Sequence, residues 1–415
     1  MDNIGFSRVR MDPEPAMKSA LSPRGQRWLI GLLMGLVTLT PMGIDIYLPS
    51  LPVMAQDYGQ PVTALQASIT LFIFAVGVGQ ILIGPLADRY GRRPVALGGA
   101  LAYLLGSALG ASASSLEVFY VARVIQGLGA CSASLVAFAA VRDCFSPAVG
   151  ARVYSYLNGA LCTVPALAPM VGGALAVHAG WRSTFVFMVL FALTLAGFLA
   201  VRFEETRAKP AKPQGALYSL RRYAPIAASG RFLYFAAFGM AGMAMILVFV
   251  SAAPVVLVQQ LGYSELGFSA WFGGNAAINI GAFFLAPAFI SRYGRHTMVR
   301  VGMAALLAAA AMHLAAWLWL PLSAWVFMLP VAVLTVGFSL ALGSGLSLAL
   351  EPFAERAGTA AAVYGLFQMS GSAVIATVLL DSGMSPQAAM ALIGAAIVGP
   401  LLCLSPGMAR RLAAG

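Results

Sequence analysis

Charged residues are scarce in this chain of 415 residues: only 9% are Asp, Glu, Lys or Arg, and only 14 residues are acidic. A soluble protein of this length covers its surface with charged side chains, so the scarcity excludes an ordinary soluble fold. Apolar residues take their place, since 60% of the chain is hydrophobic and the mean hydropathy is +0.86. The composition therefore places the chain in a lipid bilayer.

Sequence patterns of catalysis are also missing. The chain has no GxxxxGK[ST] loop for ATP phosphates, no HExxH, no nucleophile elbow and no pair of carboxylates that suggests catalysis. Its four cysteines lack the spacing of metal ligands. We therefore expect neither an enzyme nor an ATP-driven pump, and neither a metal nor a cofactor.

Long apolar segments recur along the chain, and we count twelve of the length, about 20 residues, that crosses a hydrocarbon core about 30 Å thick. Transmembrane strands would be only about 9–11 residues long and would alternate polar with apolar residues. The segments do neither. The expected fold class is an all-α membrane protein with twelve transmembrane helices, numbered here as spans 1 to 12.

A polar stretch divides the spans into two groups of six. We expect a tail at 1–27, a six-helix bundle at 28–203, a linker at 204–230, a second bundle at 231–406 and a tail at 407–415. The net charge is +11, and with the N-terminus in the cytoplasm, 23 of the 25 Lys and Arg fall in the tails and the inward-facing loops. This is the positive-inside pattern, so the charge indicates topology rather than nucleic-acid binding. The first 27 residues lack the apolar core of a cleavable signal, and span 1 is expected to be an uncleaved targeting element.

A charged loop is repeated in the chain. GPLADRYGRRP, from Gly84 to Pro94, follows span 2, and SRYGRH, from Ser291 to His296, follows span 8 at an offset of 203 residues. The repeat predicts two pseudo-symmetric six-helix bundles related by an axis along the membrane normal. Short basic turns selected only for topology are the alternative explanation. Asp88 has no counterpart, because Ser291 stands in its place.

The first copy of this loop resembles the signature of the major facilitator superfamily, roughly G-x-x-x-D-R-x-G-R-R/K. Its positions are filled by Gly84, Asp88, Arg89, Gly91, Arg92 and Arg93. The resemblance implies the major facilitator fold and a conformational gate at this loop, which closes the cytoplasmic side in the outward-facing state. Arg142 and Asp143, after span 4, are candidate partners of Asp88. A solvated charged turn is the alternative.

Further motifs resemble one branch of the superfamily, the bicyclomycin/chloramphenicol resistance branch of drug:proton antiporters. They are IDIYLPSLP at the end of span 1, GWRSTF at the start of span 6 and ALAPMVGG in span 5. RVIQGLGA in span 4 resembles the second motif of the superfamily as a whole, with Arg123, Gln126 and Gly127 in place. Of the helix-packing motif of antiporters in span 5, Pro169, Gly172 and Gly173 match, whereas Ala168 stands where the motif has glycine. The resemblance implies proton-coupled drug export.

Two charged residues lie well inside the spans, Asp45 and Arg123. Each costs at least about 2.5–3.5 kcal/mol at a helix centre unless it is paired or hydrated. At about 1.5 Å per residue, both fall in the outer half of the bilayer, within about one helical turn in depth. Burial raises the pKa of a carboxyl group and a nearby guanidinium lowers it. We expect Asp45 to carry the coupled proton and Arg123 to modulate it; a static ion pair between spans 1 and 4 is the alternative.

Other polar residues inside the spans suggest a central cavity. Each alone is better explained by a hydrogen bond between helices, but together they are candidate substrate-binding residues: Tyr47, Gln126, Asn158, Asn275, Asn279 and Gln368. Met243 and Phe238 in span 7 are added as a wall of broad specificity, because Met-rich surfaces accept varied ligands. Lipid-facing packing is the alternative for these two.

The sequence therefore predicts a proton-coupled antiporter that exports small, mostly apolar drug-like compounds through a bacterial inner membrane, with both termini in the cytoplasm. Chloramphenicol-like or bicyclomycin-like substrates are what the resemblance implies. The expected partners are the lipid bilayer, the substrate and protons, and nothing requires more than a monomer. Two alternatives stay open: an exporter of a metabolite such as an amino acid or short peptide, and a non-transporting membrane sensor or scaffold.

Overall fold

The structure is a computed structural model that describes residues 23–206, 218 and 220–405. Within these ranges it contains no strand and twelve helices long and apolar enough to cross a membrane, which confirms the predicted fold class. The tail 1–22, most of the linker and residues 406–415 lie outside the described residues. We call the side of the bundle at which Pro23 and Ser405 lie the inner side, and the opposite side the outer side.

Six helices build the first half. Spans 1 to 6 are Pro23–Asp45, Val62–Tyr90, Arg92–Ser112, Leu116–Cys144, Pro147–Ala179 and Arg182–Arg202. Span 1 ends early, and a tight turn at Leu48–Ser50 and a short helix at Leu51–Asp57 follow it. Pro49 and Pro52 lack the N–H groups that would continue the helical hydrogen bonds. The break therefore puts Asp45 at the last position of a helix.

The second half repeats the arrangement after a short linker helix at Leu220–Ala227. Spans 7 to 10 begin with Gly230–Pro254, Glu265–Tyr293, Arg295–Trp319 and Ala324–Leu350, and spans 11 and 12 begin with Ala357–Gly365 and Pro386–Ile393. Spans 7, 11 and 12 contain wider π-helical turns at Val255–Gln260, Leu366–Gly371 and Gly394–Val398. Such turns are rare and often mark functional sites. After its turn, span 11 continues as Ser372–Asp381.

The two halves meet along two seams of the same kind, because span 2 packs against span 11 and span 5 against span 8. The amide of Gln66 donates to the Ser251 carbonyl at 2.7 Å, and the Ser269 hydroxyl donates to the Pro169 carbonyl at 3.0 Å. Both bonds lie in the outer half of the bundle. The five ion pairs among the described residues each stay within one half. Direct polar contacts thus close the outer side, whereas no ion pair locks the described inner ends of the halves together.

The repeated loops turn in the same way. Gly91 and Gly294 have φ angles of +103° and +82°, values that side chains other than glycine adopt at a steric cost. Each glycine is followed at once by the first residue of the next helix, Arg92 or Arg295. The glycine retained in both copies of the signature is therefore required by the backbone.

Glu205 holds the first of these loops against the end of span 6. Its two carboxylate oxygens accept from the backbone N–H groups of Arg92 and Arg93 at 2.8 and 3.1 Å. A negative charge at a helix N-terminus satisfies unpaired donors and interacts favourably with the helix dipole. Glu205 thus caps span 3 from a distant part of the chain.

We expect Glu205→Gln to lower the free energy of unfolding by about 1 kcal/mol, because an amide offers one acceptor and no charge to the two N–H groups. Thermal unfolding in detergent measures the effect. Glu204→Gln is the matched control, since the neighbouring Glu204 is exposed and makes no cap. Equal melting temperatures for the two variants would contradict the capping role.

Candidate functional site

A cavity of about 240 Å³ lies between the two halves, and spans 1, 2, 5, 7, 8, 10 and 11 line it. Its size is somewhat below the ~300–1,000 Å³ of typical small-molecule sites. Most of its wall is apolar, with side chains such as Ile44, Met243, Phe249, Phe272 and Met369. The polar lining residues are Thr40, Asp45, Asn275, Asn279 and Thr335.

Among the described residues that line this cavity, Asp45 is the only charged one. Its side chain is buried in the outer half of the bundle. It makes no ion pair and no side-chain hydrogen bond with any residue of the described ranges. The carboxyl group therefore faces the cavity without a protein partner, which leaves it available to a proton or a ligand.

Arg123 reaches the same end of span 1 from the other side. Its guanidinium donates to the Gly43 carbonyl at 2.6 Å, to the Ser68 carbonyl at 3.4 Å and to the Gln126 side-chain oxygen. Arg123 and Asp45 form no ion pair. The static ion pair that the sequence left open is therefore absent, because Arg123 binds the backbone two residues before Asp45.

Aromatic rings supply the rest of the environment of Arg123. The guanidinium carbon lies 4.9 Å from the ring centre of Tyr47 and 4.4 Å from that of Phe72. Arg123 is fully buried. A desolvated cation over a ring face gains about 2 kcal/mol, so the rings and carbonyls together replace a counter-ion.

Tyr47 and Gln126 belong to this buried cluster and not to the cavity wall, which corrects their prediction as substrate-binding residues. The Tyr47 hydroxyl shares a hydrogen bond of 2.9 Å with the Ser68 hydroxyl, and the Gln126 amide donates to the Ser107 hydroxyl at 2.8 Å. Both side chains are fully buried. Their polar atoms serve the packing of spans 1 to 4 around Arg123.

Three other predicted substrate-binding residues also lie outside the cavity wall. The Asn158 amide donates to the Tyr154 carbonyl of its own helix at 2.9 Å. Phe238 is fully buried in the second half, with its ring centre 6.1 Å from that of Phe338. Gln368 is half-buried in the π-helical turn of span 11 and is not a lining residue.

Asn275 and Asn279 do line the cavity, as does Met243. The Thr335 hydroxyl bonds the Asn275 side-chain oxygen at 3.2 Å, and the Ser339 hydroxyl bonds that of Asn279. Asn275 and Asn279 are four residues apart on span 8, and so are Thr335 and Ser339 on span 10. The two hydrogen bonds therefore form a short polar ladder between these spans. Thr335 and Ser339 were not predicted from the sequence, although their matching spacing was a usable signal.

The predicted gate residues form a cluster around Arg92. Its guanidinium bonds Asp88 at 2.9 Å and Asp143 at 3.0 Å, and only 6% of its side chain is exposed. Asp143 therefore meets Asp88 through Arg92. Arg142 makes no ion pair within the described ranges, which corrects its prediction as a partner of Asp88. The acidic partners compensate for the burial of Arg92. Arg142 is exposed at the end of span 4 and needs no such compensation.

The other residues of the signature hold the loop in shape. Gly84 lies beside Leu135 of span 4. Arg93 donates to the Ala200 carbonyl at 2.8 Å. The guanidinium of Arg89 lies 5.6 Å from the ring centre of Tyr90. All of these contacts stay within the first half.

The second half has an equivalent cluster that the sequence analysis did not single out. Glu351, just after span 10, bonds Arg295 at 2.9 Å and also pairs with Arg231. Arg295 occupies the position of Arg92 in the repeated loop. Glu351 thus binds Arg295 as Asp143 binds Arg92. Ser291 stands at the position of Asp88 and offers no carboxylate.

The helix-packing motif of span 5 connects Asp45 with the other half. Gly172 lies directly against the carbonyl of Ile46, where a Cβ atom would collide with the backbone. Gly173 faces Ser269 of span 8, and the Pro169 carbonyl accepts the hydroxyl of the same Ser269. The motif therefore connects the end of span 1 with the seam between spans 5 and 8.

Comparison with known families agrees with this architecture. Residues 33–376 match the model of the Major Facilitator Superfamily. The chain belongs to this superfamily.

Curated relatives of this superfamily member include a chloramphenicol resistance protein of Pseudomonas aeruginosa, 32% identical over 397 residues, with 93% of this chain and 94% of that protein covered. The multidrug resistance protein MdtL of Salmonella agona (strain SL483) is 32% identical over 384 residues, with 91% of this chain and 95% of that protein covered. Both are similar to this chain over nearly its whole length.

Solved structures of the superfamily share its fold. The xylose transporter XylE from E. coli, in a partially occluded inward open conformation, has a TM-score of 0.71 at 13% identity and covers 91% of this chain and 96% of its own. A D-xylose-proton symporter has a TM-score of 0.65 at 18% identity and covers 90% and 95%. At such identities the likeness concerns the fold alone.

We expect Arg123→Lys to destabilise the protein by about 2 kcal/mol or more, because an ammonium group cannot reach both carbonyls and Gln126 at once. The measurement is thermal unfolding in detergent, with Arg152→Lys as the control at an exposed site. An unchanged melting temperature for Arg123→Lys would mean that positive charge alone, without the planar fork, holds the cluster.

Proposed function

We propose that this transporter exports a small, largely apolar drug-like compound from the bacterial cytoplasm in exchange for protons. The observation that carries the proposal is a cavity, shared by both halves, whose apolar wall contains one unpaired carboxyl group. The printed names of relatives at 32% identity, a chloramphenicol resistance protein and a multidrug resistance protein, support a drug-like substrate.

The wall of the cavity suits such compounds. Apolar and aromatic side chains can bind a substrate of variable shape through area alone, and Met243 and Met369 can adapt to it. Asn275, Asn279 and Thr335 add a polar edge on one side. A substrate therefore needs few fixed hydrogen-bonding groups.

Asp45 would couple the two fluxes. An ionised carboxylate without a partner in an apolar wall is costly, so a proton or a bound ligand stabilises the site. With the cavity open to the cytoplasm, the proton leaves Asp45 and the drug enters. With the cavity open to the outside, the drug leaves and Asp45 takes up a proton. One proton moving inward through 100 mV supplies about 2.3 kcal/mol.

Arg123 would modulate this exchange through its distance from Asp45. Its guanidinium binds the Gly43 carbonyl at 2.6 Å, so a shift of span 1 against span 4 changes its distance from Asp45. A guanidinium that approaches favours the charged carboxylate, and one that withdraws favours the protonated form. Alternating access could thus load and unload the proton.

A zwitterionic metabolite fits this cavity less well. An amino acid would need a positive group for its carboxylate, and the one buried cation near Asp45, Arg123, is sealed outside the wall. Nothing in the relatives' names favours a metabolite exporter or a sensor. We propose a monomer in the inner membrane with both termini in the cytoplasm, because the basic residues gather on that side.

We expect Asp45→Asn to abolish proton movement triggered by chloramphenicol in proteoliposomes while binding of chloramphenicol stays within about threefold, because asparagine fills the same volume but has no titratable proton. A pH-sensitive dye inside the vesicles records the proton flux. The matched control is Asp381→Asn, an exposed acid at the outer end of span 11, which should behave as the unmodified protein.

Coupled exchange that survives in Asp45→Asn would contradict the proton role of Asp45. Amino acids added in place of chloramphenicol should cause no pH change. A pH change with amino acids alone would support the metabolite exporter instead.

We expect Asp88→Asn to slow transport by about tenfold without lowering thermal stability, because in this state 60% of the Asp88 side chain is exposed and a surface ion pair contributes only about 0–1 kcal/mol. Its proposed work lies in the outward-facing state, where the loop closes the inner side. Asp143→Asn provides the contrast: its side chain is only 17% exposed, so stability should fall. Full transport by Asp88→Asn at normal expression would exclude the gate.

A further inference from the structure

Residues that the proposed cycle does not use meet at the outer end of the first half. The indole N–H of Trp181 donates to the Asp57 carboxylate at 2.7 Å, and the Arg182 guanidinium pairs with the same carboxylate at 3.3 Å. The guanidinium carbon also lies 4.2 Å from the Trp181 ring centre. Trp181 and Arg182 come from the GWRSTF motif, and Asp57 ends the short helix Leu51–Asp57, which begins at the last two residues of IDIYLPSLP.

A third outer connection joins them. The carbonyl of Ala113, between spans 3 and 4, accepts from the Tyr58 hydroxyl at 3.1 Å and from Arg182 at 3.4 Å. We call Asp57, Tyr58, Trp181, Arg182 and the Ala113 carbonyl the outer clasp. It fixes the three outer loops of the first half to one another, and it explains why one arginine lies on the outer side against the charge bias.

Beneath the outer clasp, buried aromatic rings continue inward. The ring centre of Trp181 lies 6.0 Å from that of Phe185, and the ring centre of Phe185 lies 5.4 Å from that of Tyr47. Phe119 touches both lower rings, at 5.3 and 6.3 Å. We call Trp181, Phe185, Phe119 and Tyr47 the aromatic column. Its lower end is the Tyr47 ring that faces the Arg123 guanidinium.

The outer clasp is also connected to the moving parts of the protein. The short helix Leu51–Asp57 contacts the π-helical turn Val255–Gln260 of span 7, in the other half. Opening of the outer side must break that contact and free the short helix. Because tilted and edge-to-face rings are close-packed and do not deform smoothly, a shift of the clasp displaces Tyr47.

We infer that Asp57 and Trp181 are positioning residues for proton coupling: through the aromatic column they hold Tyr47, and Tyr47 holds Arg123 on the Gly43 carbonyl and away from Asp45. The inference rests on the proposed coupling role of Asp45. In this state the outer clasp is intact and Arg123 is not paired with Asp45.

The groups that can act on Asp45 are few. Arg123 faces its helix end from span 4, Tyr47 follows it in its own turn, and the Tyr103 hydroxyl of span 3 lies beside Gly43. Within the part of the chain that the structure describes, no other charged residue lines the cavity. A change in the pH dependence of coupling therefore reports on the position of Arg123.

The test compares Trp181→Phe, which keeps a ring but removes the indole donor, with Asp57→Asn, which keeps an oxygen acceptor but removes the charge. Chloramphenicol-triggered proton movement is measured in proteoliposomes as a function of pH, together with chloramphenicol binding and thermal unfolding. Loosening the column lets the guanidinium approach Asp45 and favours the charged carboxylate, so the midpoint of the pH profile should move down by about half a unit or more in both variants. Glu117→Gln, an exposed acid at the outer start of span 4, should keep the original midpoint.

The double variant sharpens the result. If Asp57 and Trp181 act through the same hydrogen bond, the midpoint of the double variant should shift by as much as the larger of the two single shifts, and not by their sum. Unchanged midpoints, even with slower transport or lower melting temperatures, would overturn the inference and leave the clasp a structural feature only. Should Asp57→Asn fail to fold, the more conservative Trp181→Phe still decides. A parent protein that shows no chloramphenicol-triggered proton movement would refute the proposed function itself, whereas a coupled parent with unshifted variants refutes only the positioning role.

Discussion

The Arg123 guanidinium is fully buried, and carbonyl oxygens, one amide and two ring faces surround it in place of a carboxylate. An uncompensated charge at that depth costs several kcal/mol, so every group that compensates it is fixed in place. Gly43 belongs to span 1, Ser68 to span 2 and Gln126 to span 4, and Ser107 of span 3 orients Gln126. The packing of the first four spans is thus set by a single cation.

That arrangement decides what Asp45 can do. The Arg123 guanidinium donates to the carbonyl of Gly43, two residues before Asp45. Asp45 ends span 1, because Pro49 and Pro52 prevent the helix from continuing. The carboxyl group is left on the opposite side, as the one charged group among the described residues of the cavity wall. A direct ion pair would have stabilised the ionised form and held the two helices together. Because Arg123 and Asp45 are not paired, the carboxyl group of Asp45 stays accessible from the cavity.

The sequence predicted the twelve spans and the duplication, because hydropathy and the charged loops are local signals. It also placed Asn275 and Asn279 correctly on one face, since their i, i+4 spacing fixes their relation. It could not orient a helix about its own axis, so Tyr47 and Gln126 were assigned to the cavity although they point into the Arg123 cluster. Arg92, rather than Asp88, is the centre of the inner loop cluster, and Glu351 was passed over, because partners distant in sequence leave no local pattern.

The two copies of the repeat have diverged in a consistent way. Both keep what the backbone requires, the glycine of positive φ at Gly91 and Gly294 and the arginine that binds an acid after the fourth helix of each half. The first copy alone has Asp88, Asp45 and Arg123, while the second supplies the amide and hydroxyl ladder of spans 8 and 10. The carboxyl group of Asp45 and the polar ladder thus come from different halves of one cavity. Neither half encloses the cavity alone. In the proposed cycle, one motion of the halves against each other would therefore expose the substrate and change the surroundings of Asp45, which would tie the proton step to that motion.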